Sequence, residues 1–561
     1  MPPLSRASPR RIYLVLAAGV AVLWLGTLSV RPLFNPDEGR YAEIPREMLQ
    51  GGDWVIPHLD GLAYVEKPPL QYWATAFFLG VLGENELGAR FYTGLCALAC
   101  VLVAASAARR IFGREAGLTT AAMLAGMPLF VVMGQLLTLD MSLTLYMTSA
   151  LAGFLLAQSG PPRPWMLLAW VATAFGVLTK GPVAAFIPAA SLLLYSLYRR
   201  DVGPWRRLDA RIGLALFMMI TVPWYALAAR RLPDFLPFFF VHEHLARYLT
   251  TSAHREEPGW FFGPVLVLGS LPWTLAALRG LSRGWSAGWG AGRRRAGQGG
   301  EEGCAPAAFD AALFLRIYVL TVCVFFSLSS SKLIPYILPA LPALALLAAS
   351  NPTETLERDL AAAAFLTLGA AIALGLACLL APAHLTPSDR SAYFLSLAKP
   401  VAQAAILLAA SGLYALVLRR RDLTRSAVFL GVGWTLSGLL LVRAAAAVAP
   451  VYSGIELARA LPAAPAEAII YSVGTYDQTL PFYWRRTLEL VAYRGELDYG
   501  LRYHPLTEIA SIEEFVQRWS ASRESAAYAV MTKALFVDLT GRGVPMRELA
   551  RDVNRVLVAR R

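Results

Sequence analysis

About thirteen apolar runs, each close to the roughly 20 residues that an α-helix needs to cross a bilayer, occupy most of this chain. They lie near 12–30, 87–108, 117–136, 138–157, 164–179, 181–198, 211–229, 260–278, 311–329, 333–349, 360–381, 400–418 and 426–448. Lipid offers no water to backbone N–H and C=O groups, so such runs must fold as helices that hydrogen-bond internally. A hydrophobic share of 57% against 16% charged residues, with a mean hydropathy of +0.50, excludes a soluble globular enzyme and a disordered chain. Five cysteines in 561 residues exclude a disulfide-built scaffold. The expectation is an α-helical polytopic membrane protein.

The net charge of +13 does not point to nucleic acid, because the basic residues fall in short clusters between apolar runs, as topology signals do. Placing the N-terminus in the cytoplasm gathers these clusters on one side: Arg6, Arg10 and Arg11; Arg109, Arg110 and Arg114; Arg199, Arg200, Arg206 and Arg207. Arg279, Arg283, Arg293 to Arg295, Arg419 to Arg421 and Arg425 join them. The stretch 350–359, where Glu354, Glu357 and Asp359 outweigh Arg358, is the exception, and acidic residues count little in this rule. The first run, followed by Leu28-Ser29-Val30-Arg31, lacks a small-residue cleavage site and reads as an uncleaved helix. An odd number of spans then carries residues 31–86, 230–259 and everything after about Ala449 to the outer side. The chain divides into a membrane domain over 1–448 and an outer domain over 449–561. In the latter, Ala468 to Tyr471 and Ala527 to Met531 have strand character and Ile512 to Trp519 has helical spacing, which predicts a small α/β fold. Cys96, Cys100, Cys323 and Cys378 lie in apolar runs as small fillers, and Cys304 in a Gly/Arg-rich insertion around 280–305.

The first outer segment interleaves Asp37, Glu38, Arg40, Glu43, Arg46, Glu47, Asp53, Asp60, Glu66 and Lys67 with Trp54, Tyr64, Tyr72 and Trp73. Glu38 to Gln50 has the pattern of a short helix lying at the membrane surface, with Asp37 either its N-cap or a functional acid at headgroup level. In Glu66-Lys67-Pro68-Pro69 two prolines stiffen the backbone behind the lysine, and a stiffly held ammonium beside a bilayer suits a lipid phosphate, although an interfacial lysine that merely snorkels has the same signature. Asp140, at the junction of two apolar runs, is costly unless it is paired or lines a wet cavity. Lys180 and Lys332 fall at junctions on the same side, and together these groups predict a cavity that opens outward. His242 and His244 could face one side of a strand as a divalent site with Glu66, but without a third ligand hydrogen-bonding roles are favoured.

Phe34-Asn35-Pro36-Asp37-Glu38-Gly39-Arg40-Tyr41-Ala42-Glu43-Ile44-Pro45-Arg46-Glu47-Met48, Gly52-Asp53-Trp54 and Glu66-Lys67-Pro68-Pro69-Leu70 resemble the bacterial 4-amino-4-deoxy-L-arabinose lipid A transferases. These are grouped with protein O-mannosyltransferases among the C-type (GT-C), lipid-phosphosugar-dependent glycosyltransferases. The resemblance extends to Leu139-Asp140, Ser331-Lys332-Leu333-Ile334-Pro335-Tyr336, Leu480-Pro481-Phe482-Tyr483 and Arg494-Gly495-Glu496-Leu497. It implies that Asp37 is the principal catalytic carboxylate and Asp140 a second acid. It further implies that Lys67 meets the donor phosphate and that Glu38, Arg40, Tyr41, Tyr64, Lys332 and Tyr336 bind substrate. Members of the family can hold a metal between the Glu-Lys-Pro-Pro glutamate and a later histidine, here Glu66 with His242 or His244.

What the resemblance implies is a transferase that moves an aminosugar from undecaprenyl phosphate to lipid A, contributing to resistance against cationic peptides such as polymyxin. Its partners are the lipid-linked donor, lipid A and membrane lipids, with no nucleic acid. The expectation is a monomer in the bacterial inner membrane with the N-terminus cytoplasmic and the C-terminal domain periplasmic. No cofactor is required for the chemistry, and a divalent ion such as zinc has a structural place only. An O-mannosyltransferase-like enzyme acting on Ser/Thr and a lipid-linked sugar transporter are the rival readings. Against the transporter, the middles of the apolar runs are almost free of charge.

Overall fold

The computed structural model describes residues 9–250, 256–285, 309–384, 389–461, 465, 467–504, 508–521 and 526–560. Arg6, His254, Arg293 to Arg295, Cys304 and the insertion from residue 286 onward lie outside them. Among the described residues eight helices are long and apolar enough to cross a membrane, or nine if one bent pair counts as a single span. The figure of about thirteen counts apolar runs, several of which fold as short or broken helices because proline interrupts them. The pair Arg114–Gly126 and Pro128–Gln135 bends by 65°, where Met127 is extended ahead of Pro128. The run near 260–278 splits into Phe262–Gly269 and Thr274–Ser282 around Pro272, and the run near 333–349 into a 3-10 turn, Ile334–Ile337, and Ala340–Ala349.

Leu139–Ser159 is buried along most of its length and forms the axis of the bundle. Close approach rather than side-chain bulk sets its neighbours: a Cβ on Gly153 would lie 2.6 Å from the Trp165 carbonyl oxygen. Likewise a Cβ on Gly126 would meet the Gly431 Cα at 2.9 Å. Small residues at helix crossings let backbones touch, the main packing device where lipid removes the hydrophobic drive.

Two short strands, β1 (His58–Leu59) and β2 (Leu62–Ala63), make a hairpin in the first loop. The C-terminal domain holds β3 (Ile469–Val473), β4 (Glu489–Val491), β5 (Glu508–Ile509), β6 (Ala527–Thr532), β7 (Met546–Arg551) and β8 (Arg555–Arg560), in the order β5-β4-β3-β6-β8-β7. The first four strands of that order are parallel and β8 and β7 antiparallel, with Tyr471 opposite Ala529 and Ala529 opposite Val558. The helix Ile512–Ala521 covers one face with Phe515 and Trp519, so the predicted strands and helix fall where their apolar periods place them.

The first loop forms a helix, Asp37–Gly51, ended by Gly52 at φ 69°. It is not the half-exposed helix that a position on the membrane surface predicts. Its residues are buried almost all round, because the C-terminal domain covers the face that would otherwise meet water. A Cβ on Gly39 would sit 2.4 Å from the Gln478 carbonyl carbon, so only glycine admits this contact. The Leu33 amide donates to Tyr483 Oη at 2.8 Å, Asn35 Nδ2 to Asp477 Oδ2 at 2.6 Å and the Leu488 amide to Asp60 Oδ1 at 2.7 Å. The loop is a wedge between bundle and sheet domain.

Candidate active site

A cavity of ≈ 560 Å³ opens where the loop helix, the ends of several membrane helices and the C-terminal domain meet. The loop contributes Asp37, Arg40, Tyr41, Glu66 and Lys67 to its wall; Asp140, Lys180 and Tyr336 come from helix ends, and Glu496 from the C-terminal domain. Asp37 is the first residue of its helix and caps nothing with its side chain, since Pro36 holds the N-cap position. Its carboxylate is about half exposed and only loosely paired with Arg40 Nη1 at 3.5 Å, so the capping role is not the one it plays. The helix N-terminus beneath it favours a negative charge at that position.

Asp140 is buried in the first turn of its helix and paired with the Lys180 ammonium, which lies 4.8 Å from the Tyr336 ring centroid. Lys67 donates to the Glu66 carbonyl oxygen at 3.0 Å and to Glu243 Oε2 at 3.2 Å. Arg247 Nη1 donates to the same Glu243 oxygen at 2.9 Å. Burial alone would raise the Glu243 pKa, but Lys67 and Arg247 pull it down to about 2. One carboxylate thus holds two cations side by side. Arg40 is tied to Glu496, which also accepts from Gln478 Nε2 at 2.7 Å, so the sheet domain fixes a guanidinium that the loop provides. Burial raises the Glu496 carboxyl above its ordinary range, against the pull of Arg40.

Three residues expected at the site, Glu38, Tyr64 and Lys332, sit elsewhere, and His244 lines only the adjoining apolar cavity. Glu38 is buried and accepts from Arg31, Arg90 and the amides of Phe34 and Leu137. Every acceptor direction of that carboxylate is used, which makes Glu38 an internal counter-ion, not a substrate contact. Tyr64 is buried behind Arg40, whose guanidinium carbon lies 5.9 Å from the ring centroid. Lys332 is buried and donates to the Ser329 carbonyl at 2.7 Å, while Leu333, Pro335 and Tyr336 line the cavity. His244 places Nδ1 2.6 Å from the Phe239 carbonyl and Nε2 3.4 Å from that of Lys180.

His242 and His244 stand on a π-helix, Pro237–Ala246, not on a strand. With more than four residues per turn, positions two apart point nearly opposite ways. Only His242 lines the cavity with Glu66, beside Glu243 at 3.3 Å. Among the described residues no three His, Cys, Asp or Glu side chains converge as metal ligands. The Glu66 carboxylate lies 3.9 Å from both Lys67 Nζ and Arg247 Nη1, so cations already balance the acids, and the donor set does not fit a divalent ion as arranged.

The polar cavity continues into an apolar one of ≈ 380 Å³ that shares Lys67, Lys180, Glu243, Arg247 and Tyr336 with it. A groove of ≈ 570 Å³ then runs on between the helices Val183–Arg199 and Ala311–Leu328, joined through Phe186, Tyr248 and Phe325. Charge lies at one end of this path and hydrocarbon along the rest. The sequence reasoning missed Arg247 altogether. Its spacing of four from Glu243 is the ordinary helical ion-pair interval and was the available signal.

Residues 66–227 match the family model of dolichyl-phosphate-mannose-protein mannosyltransferases, and residues 457–560 that of the aminoarabinose transferase C-terminal domain. The chain is 34% identical over 358 residues to undecaprenyl phosphate-alpha-4-amino-4-deoxy-L-arabinose arabinosyl transferase 1 of Sodalis glossinidius, covering 60% of each. It is 34% identical over 347 residues to the protein of that name, without the final numeral, from Pseudomonas aeruginosa strain UCBPP-PA14, covering 61% of this chain and 59% of the other. The matched stretch thus spans about three-fifths of the length of these curated relatives. The crystal structure of ArnT from Cupriavidus metallidurans bound to undecaprenyl phosphate superposes over 98% of both chains, with a TM-score of 0.87 and 32% identity.

Proposed function

Since the chain belongs to the aminoarabinose transferase family of GT-C glycosyltransferases, we propose that it transfers 4-amino-4-deoxy-L-arabinose from undecaprenyl phosphate to a phosphate of lipid A. The observation that carries this reading is the unbroken path from a cavity holding Asp37, Lys67 and Arg247 to an apolar groove between two membrane helices. A polyprenyl phosphate has the same polarity profile, with an anionic head and a long hydrocarbon tail. The cavity lies at the outer face of the inner membrane, with the N-terminus cytoplasmic and the C-terminal domain periplasmic, in accord with the distribution of basic clusters.

The reaction breaks the bond between the anomeric carbon and the donor phosphate oxygen and forms a bond from that carbon to an acceptor phosphate oxygen. Charge grows on the departing polyprenyl phosphate, and Lys67 and Arg247, held parallel by Glu243, are placed to stabilise it before the bond breaks. An acceptor phosphate is anionic at neutral pH and needs no base. Asp37 therefore orients the sugar and offsets positive charge developing at the anomeric carbon. The Asp140–Lys180 pair keeps a second acid and cation in the same cavity with no net charge between them. A serine acceptor would instead require Asp37 to take a proton. Modification of lipid A in this way lowers its negative charge and so supports resistance to cationic peptides.

Reconstitution of the purified chain with undecaprenyl-phosphate aminoarabinose and lipid A tests the reading. Mass spectrometry is expected to show the aminopentose added to lipid A, and wild-type protein that leaves lipid A unmodified would refute it.

A further inference from the structure

Glu66 lines the polar cavity without a role in breaking or forming the glycosyl bond. Its carboxylate lies 3.9 Å from both Lys67 Nζ and Arg247 Nη1, too far for a hydrogen bond, and it accepts none among the described residues. The same two cations donate to Glu243 at 3.2 and 2.9 Å. The other acids of the cavity are committed. Asp140 is held by Lys180, and Glu496 by Arg40 and Gln478, while Asp37, beside Arg40, faces the anomeric carbon. Glu66 is the acid whose acceptor capacity is unused. It precedes Lys67 directly, and the prolines at 68 and 69 stiffen the backbone behind them, so this acid and this cation keep their spacing.

Lys67, Arg247, Glu243 and Glu66 together are neutral, two cations against two anions. A sugar phosphodiester brings one negative charge to Lys67 and Arg247 and leaves the group with an excess anion. In a cavity walled by protein that excess is costly, and a cation carried on the same molecule removes it. In a pyranose the substituents on carbons 1 and 4 project from opposite ends of the ring. A phosphate on one and an ammonium on the other therefore form a dipole, and the cation pair with Glu66 beside it presents the complementary one. A structural metal ion needs about four convergent ligands, and among the described residues no three side chains of the ligating types converge. An ammonium has three N–H donors and is served by one carboxylate and neutral acceptors. Tyr41, in the same wall, is such an acceptor. Burial first, then Asp37, with Glu66 and Asp140 adding to it, raise its hydroxyl far above the ordinary range and keep it neutral.

Resting on the proposed function, we infer that Glu66 receives the 4-ammonium of the donor sugar while Lys67 and Arg247 hold its phosphate, so that this acid selects an aminosugar over a neutral sugar of the same shape.

Equilibrium binding of three lipids to the purified chain tests this: undecaprenyl phosphate, undecaprenyl-phosphate arabinose and its 4-amino counterpart. Wild type should bind the 4-amino lipid at least about tenfold more tightly than the arabinosyl one, the worth of a hydrogen bond to a charged group. Glu66→Gln keeps the shape and breaks no hydrogen bond within the chain, and it should bring that ratio close to one. Loss of a negative charge beside Lys67 and Arg247 acts on all three lipids alike, so the ratio isolates the amine. Equal affinity of wild type for the two sugar lipids would overturn the assignment. So would a preference that survives in Glu66→Gln, including one in which all three lipids weaken together. No acceptor is present in this measurement, so it stands apart from the reaction. A chain that shows the expected ratios yet leaves lipid A unmodified keeps Glu66 as the amine site and loses only the transfer. Transfer to lipid A with no preference for the amine would overturn this inference and leave the reaction standing.

Discussion

Glu38→Gln tests the division between catalytic and structural residues in the motif that dominates the first loop. The Glu38 carboxylate is buried and accepts four bonds from guanidinium groups, at 2.5 and 2.8 Å from Arg31 and 2.8 and 3.0 Å from Arg90, besides two from backbone amides. Arg90 in turn uses its remaining donors on the carbonyls of Leu28, Arg31 and Pro32. Burial would raise the Glu38 pKa, but the two arginines hold it far below the carboxylate range. Replacing the carboxylate with an amide leaves two buried guanidinium groups with no counter-charge and points an NH2 at an N–H donor. Breaking a buried pair from one side costs about 3–5 kcal/mol. The expected result is an unfolding midpoint lowered by several degrees, read from tryptophan fluorescence in detergent, with an unchanged donor KM in the molecules that remain folded. A wild-type midpoint combined with a raised donor KM would refute the reasoning, because it would mean that Glu38 meets substrate and not the arginines.

Asp37→Ala removes a half-exposed carboxylate that supports no buried network, so the midpoint should hold while kcat falls by at least about a hundredfold; turnover near wild type would strike Asp37 from the mechanism. Chelation should leave transfer intact, since the carboxylates at Glu66 and Glu243 are balanced by Lys67 and Arg247; loss of activity restored by zinc would show that the side chains rearrange around an ion. Asp60, pushed up to about 8 by burial, stays protonated in the fold after it would ionise in an unfolded chain near pH 4. Its contribution is present in full below that pH and is lost as pH rises toward about 8, so the midpoint should decline across this window, and Asp60→Asn should flatten the decline. An equal slope in the variant would place the titration elsewhere.

The corrections at the site share a cause. Asp37, Lys67, Asp140, Lys180 and Lys332 could be read as a group because each lies between apolar runs on one side of the expected topology, and that is a local property; Lys332 nevertheless turns to the Ser329 carbonyl, and Tyr336 was implied only by the family resemblance. Glu38 carries the same type of charge as Asp37 one position earlier, and nothing local distinguishes them. The difference is that Arg90, from another helix, arrives on one side of the turn and not on the other. His242 and His244 were similarly ambiguous, since their facing depends on whether the segment is strand or π-helix.

By itself the sequence determined that this is a multi-span helical membrane protein with a small α/β domain at its end, because apolar length and period are written residue by residue and lipid permits few answers. Which charges share the cavity was decided by tertiary structure alone. Glu496 reaches Arg40 from more than four hundred residues away, and Glu243 joins Lys67 to Arg247 across a loop. Such contacts depend on the close approach of backbones at Gly39 and Gly153, where the absence of a side chain lets separate stretches meet, and that meeting has no signature in either stretch alone.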